Sequence, residues 1–209
     1  GDALSLISRT PKGTSGNGAS RWPAADAYGD LVVFESEADD LVAGDANGVS
    51  DIFLHEVPLG EITRITAAAT APSAHPALDA AGDDLLYDQR NAEGTRQVLI
   101  DGLWDAGEAM PISLAQDEAG ALLDCHHPAI SAGGRFVAYL EERGQGDGKV
   151  CRVHVYDRNS NAYRRWNCPA ALAAHAETAH AAFSPDGAEV EWYLPGRADP
   201  FVMINPFSK

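Results

Sequence analysis

The stretch HHPAISAGGRFVAYLE, residues 126–141, reads as a short strand, a glycine-centred turn and a second strand rich in β-branched and aromatic residues. Three other stretches repeat it: RWPAADAYGDLVVFES from Arg21, AHPALDAAGDDLLYDQ from Ala74 and AHAAFSPDGAEVEWYL from Ala179. The residue before the proline, or before its alanine counterpart, is Trp22, His75, His127 and His180, at intervals of 53, 52 and 53. The aromatics closing the second strand, Phe34, Tyr87, Tyr139 and Trp192, keep the same intervals. Two features sharing one period identify an internal repeat.

Each unit continues into a third strand: DIFLHE from Asp51, RQVLID from Arg96, CRVHVYD from Cys151 and PFVMIN from Pro200. A fourth follows in three units: EITRIT from Glu61, AMPIS from Ala109 and AYRRWNC from Ala162. Four antiparallel strands per repeat are the anatomy of a propeller blade. The expectation is an all-β, single-domain, four-bladed propeller over residues 1–209, with blades at 21–66, 74–113, 126–168 and 179–209. The fourth unit runs out after PFVMIN, while LSLISRT from Leu4 precedes the first and has a strand-like pattern. The N-terminal strand, residues 4–10, is therefore expected to complete the last blade and remove its open edge. One chain closing alone is favoured over an eight-bladed dimer; a piece of a longer propeller is the third alternative.

The chain of 209 residues is 45% hydrophobic and carries 31 acidic against 15 basic residues, a formal charge of −16. That composition belongs to a folded domain. Its charge repels phosphate backbones and argues against nucleic acid as a partner. The apolar runs are too short for a membrane-spanning helix. The sequence starts at Gly1 without an apolar leader, as a processed mature protein or a trimmed piece would.

FSPDG at 183–187, HPAISAGGRFVAYLEE from His127, and GTSGNGAS from Gly13 continuing through VVFESEADDLVAGDANGVSDIFLHE resemble the TolB-like β-propeller repeat, in a variant common in secreted bacterial proteins. The first two units depart from its SPDG turn, with DAYG at Asp26 and DAAG at Asp79. The resemblance covers nearly the whole chain and implies a propeller. It bears little on function, since relatives include periplasmic interaction scaffolds and propellers attached to peptidases. No GxSxG elbow occurs, which argues against a peptidase.

Three cysteines are present. If Asp157 faces Ala162 across the third-blade hairpin, Cys151 faces Cys168, about 5.5 Å apart at Cα as a disulfide requires. A disulfide implies the periplasm or the cell exterior. Cys125 is left unpaired.

Equivalent positions on the innermost strands converge on a propeller's axis, so Trp22, His75, His127 and His180 should meet at one mouth of the channel. Three imidazoles with an open fourth position suit zinc, and imidazole also suits copper. Cys125 and His126 stand beside one of the three. The bland alternative is a slot that favours polar residues bonded to a neighbouring blade. In the acidic loop 39–51, Asp45, Asn47 and Asp51 form D-x-N-G-x-x-D, oxygen ligands that suit calcium around a glycine turn, although the closing bidentate Glu of an EF-hand is missing. An Asn-Gly turn with solvated acids is the simpler reading. The run Glu141–Gly148 reads as a surface loop, and PAALAAHAETA, with His175 and Glu177, as a connection with a helical turn.

No catalytic constellation stands out, so an enzyme is disfavoured. The leading expectation is a secreted or periplasmic binding propeller that takes a protein or small ligand at its channel mouth and top face. A copper- or zinc-binding protein is the runner-up.

Overall fold

The computed structural model describes residues 4–105, 107–113, 120–144 and 149–208. The fold is a four-bladed β-propeller with almost no helix. The first blade contains β1 (Ser20–Ala25), β2 (Leu31–Ser36), β3 (Asp51–Glu56) and β4 (Glu61–Arg64). The second contains β5 (Ser73–Leu78), β6 (Asp84–Arg90), β7 (Arg96–Gly102) and β8 (Met110–Pro111). The third contains β9 (Asp124–Ile130), β10 (Phe136–Arg143), β11 (Val150–Asp157) and β12 (Ala162–Asn167). The fourth contains β13 (His180–Phe183), β14 (Glu189–Tyr193) and β15 (Phe201–Ile204). Every pairing is antiparallel between neighbours in sequence.

The turn between the first two strands of each blade follows one rule despite four different sequences. Asp26, Asp79, Ser131 and Ser184 open it, and each side-chain oxygen accepts from the backbone N–H five residues on, at 3.0, 3.1, 2.9 and 2.9 Å. Asp and Ser are interchangeable here because both are short side chains whose oxygen reaches a nearby backbone N–H. The fourth residue, Gly29, Gly82, Gly134 or Gly187, has φ between 70° and 75°, a region that glycine enters without cost. The second residue links blades. Ala27 N–H donates to Ala80 O (3.0 Å), and Ala80 N–H donates to Ala132 O (3.1 Å). Pro185 holds the equivalent position in the fourth blade and has no N–H to donate.

The core lies between sheets. Val33, Ile52 and Leu54 of the first blade pack on Leu78, Leu85 and Tyr87 of the second. Leu86 and Val98 pack on Ile130, Val137 and Tyr139 of the third. Leu140, Val153 and Val155 pack on Val190 and Trp192 of the fourth. Tyr87, Tyr139 and Trp192 thus each fill the gap to the preceding blade, the sheet-packing role expected of them.

Phe34 packs differently from its three counterparts. It stacks on Phe53 at a centroid distance of 5.7 Å, and Ala38, Leu41, Val42 and Ile7 cover the pair. This corrects the expected closure. Residues 4–10 do not pair with β15; the fourth blade has three strands among the described residues. Arg9 instead bridges to Ser15 and donates through its guanidinium to Gly60 O (3.1 Å) at the outer edge of the first blade. The physical reason is that Phe34 and Phe53 present an apolar face, which Ile7 covers together with the loop after β2 and Ile62.

The disulfide joins Cys151 to Cys168 with Cα atoms 5.3 Å apart, in the expected register, Asp157 opposite Ala162 and Val153 opposite Trp166. Cys125 is free and buried. The connection PAALAAHAETA forms a helical turn, α1 (Ala170–Ala173), followed by a 3₁₀ turn at Ala176–Thr178. Glu141 and Glu142, expected in a surface loop, are buried in β10; Gln145–Gly148 of that run lie outside the described residues.

Candidate axial binding site

Trp22, His75 and His127 occupy the left-handed region, with φ of 55°, 52° and 52°. At each of these points the pairing of the first strand with the second slips, between Arg21 and Ala24, Ala74 and Ala77, and His126 and Ala129. These are β-bulges, and the sequence accounts for them. A proline follows each bulged residue, removing a ladder N–H and excluding the right-handed helical region from the residue before it. His180 is followed by Ala181 instead, and the fourth blade pairs regularly, His180 opposite Tyr193. A side chain held at positive φ costs about 1–3 kcal/mol, and bulges of this kind re-aim side chains next to binding sites.

The re-aimed rings meet at the axis. His75 and His127 stack with centroids 3.6 Å apart. The Trp22 indole stands edge-on to both, at 5.0 and 5.5 Å, and lies 6.1 Å from His180, nearly parallel to it. The four expected residues are therefore brought together, lining a cavity of about 10 Å³, close to the room one water or ion needs.

Two further residues shape the site. Asp88, on β6, accepts from His75 Nδ1 (2.6 Å) and from the His127 backbone N–H (3.1 Å). Glu35, at the equivalent point of the first blade, accepts from the His75 N–H at 3.4 Å. Each carboxylate thus holds the bulge of the following blade, and burial pushes the Glu35 carboxyl above its ordinary range. Composition hides these two among 31 acids, but both directly follow the periodic aromatic, at Phe34 and Tyr87, and that spacing could have singled them out. His75, Asp88 and His127 each bring a potential ligand atom within 4.8 Å of the other two, so the compact triad contains Asp88 where the sequence suggested His180. Burial, with His75 and His126 beside it, pushes His127 well below the usual imidazole range, so its ring is neutral.

His126 lies behind His127, their Nδ1 atoms within hydrogen-bond distance, and its Nε2 faces Glu142 Oε2 at 3.3 Å. Glu142 is in turn paired with Lys149 (2.7 Å). Cys125 is sealed beneath, its thiol pushed up to about 12 by burial, which removes it as a nucleophile at neutral pH.

The calcium candidate is arranged differently. Asp45 pairs with the Arg64 guanidinium, Asp51 accepts from Asn47 Nδ2 (2.9 Å) and Thr66 Oγ1 (2.5 Å), and Asn47 also donates to Ala69 O (3.2 Å). Asp45, Asn47 and Asp51 are brought together, and the cation between the acids is Arg64. Asp39 and Asp40 are held by Asn17 of the GTSGNGAS stretch, at 2.6 Å to its side chain and 2.9 Å to its backbone. An arginine likewise fills the acidic group that the sequence did not reveal: Arg96 forks onto Asp124 (2.6 Å) and Glu177 (2.7 Å).

Neither a family model nor a curated protein sequence matches the chain. Solved structures do resemble it. TolB from Acinetobacter baumannii superposes over 90% of this chain and 40% of its own, with a TM-score of 0.59 at 15% identity. A putative TolB from Agrobacterium tumefaciens covers 90% of this chain and 59% of its own, with a TM-score of 0.58 at 16% identity. The acylaminoacyl peptidase of Pyrococcus horikoshii covers 88% and 29%, with a TM-score of 0.55 at 13% identity. The chain spans less than two thirds of each of these proteins. At such identities the likeness carries over architecture alone, and the chain has the fold of TolB-like β-propellers.

Proposed function

We propose that the chain is a secreted or periplasmic binding propeller, and that the axial mouth formed by Trp22, His75, His127 and His180 is where its ligand docks. The observation that carries this reading is the set of three left-handed bulges. The fold places three non-glycine residues at positive φ, at equivalent points, to gather aromatic and imidazole rings around a small opening. Packing alone does not require that strain, because the fourth blade builds the same strand pair without it. The Cys151–Cys168 disulfide favours an oxidising compartment. The charge of −16 favours a partner with a basic or cationic face.

The test is capture from an envelope extract with the wild-type chain and a Trp22→Ser/His180→Ser variant. The captured protein is then purified and its affinity measured by titration. At least a tenfold weaker affinity for the variant is expected, about 1.4 kcal/mol. Equal affinity for both chains would reject the mouth as the docking site.

A further inference from the structure

We infer that the axial mouth holds a divalent transition-metal ion, zinc or copper, on Nε2 of His75 and Nε2 of His127, with Asp88 as the positioning carboxylate. This inference rests on the mouth being the binding site and names a ligand for it.

The argument follows the protons. Glu142, paired with Lys149, is an acceptor, so His126 must present Nε2–H to it. In the neutral form of His126 the lone pair is then on Nδ1, and His127 donates to it from its own Nδ1. His127 Nε2 is then a bare lone pair. It is buried and has no hydrogen-bond partner among the described residues, and its side chain belongs to a residue only 3% exposed. A buried unpartnered acceptor is a standing cost, and a ligand removes it. Asp88 orients His75 in the same way: the carboxylate accepts Nδ1–H, and Nε2 is the nitrogen left to meet a ligand. Two imidazoles, each oriented through Nδ1 by a bonded neighbour, Asp88 for His75 and His126 for His127, are placed as outer partners place metal ligands. The His180 ring lines the same cavity and offers a third nitrogen, leaving a coordination position open.

A comparison within the molecule points the same way. Two other acidic groupings, Asp45 with Asp51 and Asp124 with Glu177, each contain an arginine that supplies the positive charge. Asp88 has no such partner among the described residues; its bonds go to His75 and to the backbone of His127. Two imidazoles and a carboxylate suit zinc or copper over calcium, which requires oxygen.

The experiment titrates the full untagged chain with Zn²⁺ and with Cu²⁺ by calorimetry and records the copper electron paramagnetic resonance spectrum. One ion per chain is expected, with nitrogen hyperfine coupling from imidazole. Changing His75 and His127 together to Gln should weaken binding more than about 100-fold, and Asp88→Asn about 10- to 100-fold. Tyr163→Ser, on an exposed outer strand, should leave binding unchanged. Should the double variant fail to fold, judged by its melt, the nitrogen coupling of the wild-type spectrum decides alone. No stoichiometric uptake, a copper spectrum lacking nitrogen coupling, or equal uptake by a folded double variant would overturn the inference. Partner capture by a chain that takes up no ion would refute this inference and leave the docking site standing. An ion held by a chain whose mouth captures nothing does the reverse.

Discussion

Reducing the Cys151–Cys168 disulfide tests both the stability of the third blade and the compartment the protein suits. The bond spans 17 residues of sequence, across a hairpin already zipped by six paired positions from Arg152–Asn167 to Asp157–Ala162. The native hairpin therefore keeps its register without the bond, and the loss falls on the unfolded chain, which regains the freedom of an open loop. Loop-closure entropy for this span amounts to about 3 kcal/mol at 25 °C. For a chain of this length that corresponds to a melting point lower by about 7 °C. Thermal melts of the oxidised chain, the reduced chain and a Cys151→Ser/Cys168→Ser variant should fall in two groups, the last two coinciding. Mass analysis after alkylation should find one free thiol, Cys125, before reduction under denaturing conditions and three after it. A melting point unchanged by reduction, with three thiols confirmed, would refute the reasoning. Since natural domains hold only about 5–15 kcal/mol in total, a loss of this size is a real handicap in a reducing cytosol.

Other expectations follow from the same structure. Trp192→Ala should cost about 3–5 kcal/mol, because the fully buried indole joins the last blade to the third; a loss under 1 kcal/mol in denaturant titration would show that the fourth blade contributes little to the cooperative unit. Glu141 should give an acid-sensitive step. Burial raises its carboxyl, but hydrogen bonds from His154 and Arg143 overcome that and hold it at about 2, below the ordinary 4.5. Its contribution is complete above pH 4.5 and lost as pH falls toward 2, so the wild-type melting point should drop across that window more steeply than that of Glu141→Gln. Arg64→Leu should destabilise by about 3–5 kcal/mol because Asp45 and Asp51 lose their buried cation, whereas calcium added to the wild type should leave the melt unchanged. Gly18→Ala should also destabilise, since an added Cβ would lie 2.5 Å from the backbone at Glu37 and Ala38, visible as a lower midpoint in urea.

What the sequence disclosed was what repeats. The aromatics at Phe34, Tyr87, Tyr139 and Trp192 and the turn residues at Asp26, Asp79, Ser131 and Ser184 recur because each blade solves the same packing and hydrogen-bonding problem. The cysteine pairing was legible because a tight hairpin fixes register. The convergence of Trp22 and the three histidines followed from periodicity combined with propeller geometry. The fate of Leu4–Thr10 was not legible, because a short apolar segment matches an edge strand and a covering segment equally well. The choice was made by the apolar faces of Phe34 and Phe53, which Ile7 helps to bury, a tertiary demand with no local sequence signal. The fork from Arg96 to Glu177 was hidden for a similar reason, since its ends lie 81 residues apart. Asp88 was missed because one acid among 31 is inconspicuous until its place after the periodic Tyr87 is noticed.

The covered face of the first blade gives the molecule a direction. Ile7 and Leu41 lie over Phe34, and the backbone links at the turns run from Ala27 to Ala80 to Ala132, with no further such link among the described residues. The tail blade is anchored mainly through Trp192 and ends in a strand with Val202 and Ile204 exposed at 46% and 70%. Stability in a repeat fold accumulates from the interfaces between units, so a unit with less packed interface frays first. Amide exchange should therefore form a gradient, slowest in the second and third blades and fastest in β15. The rings at the axis sit across that gradient, His75 and His127 on the slowly exchanging blades and His180 on the blade that opens first.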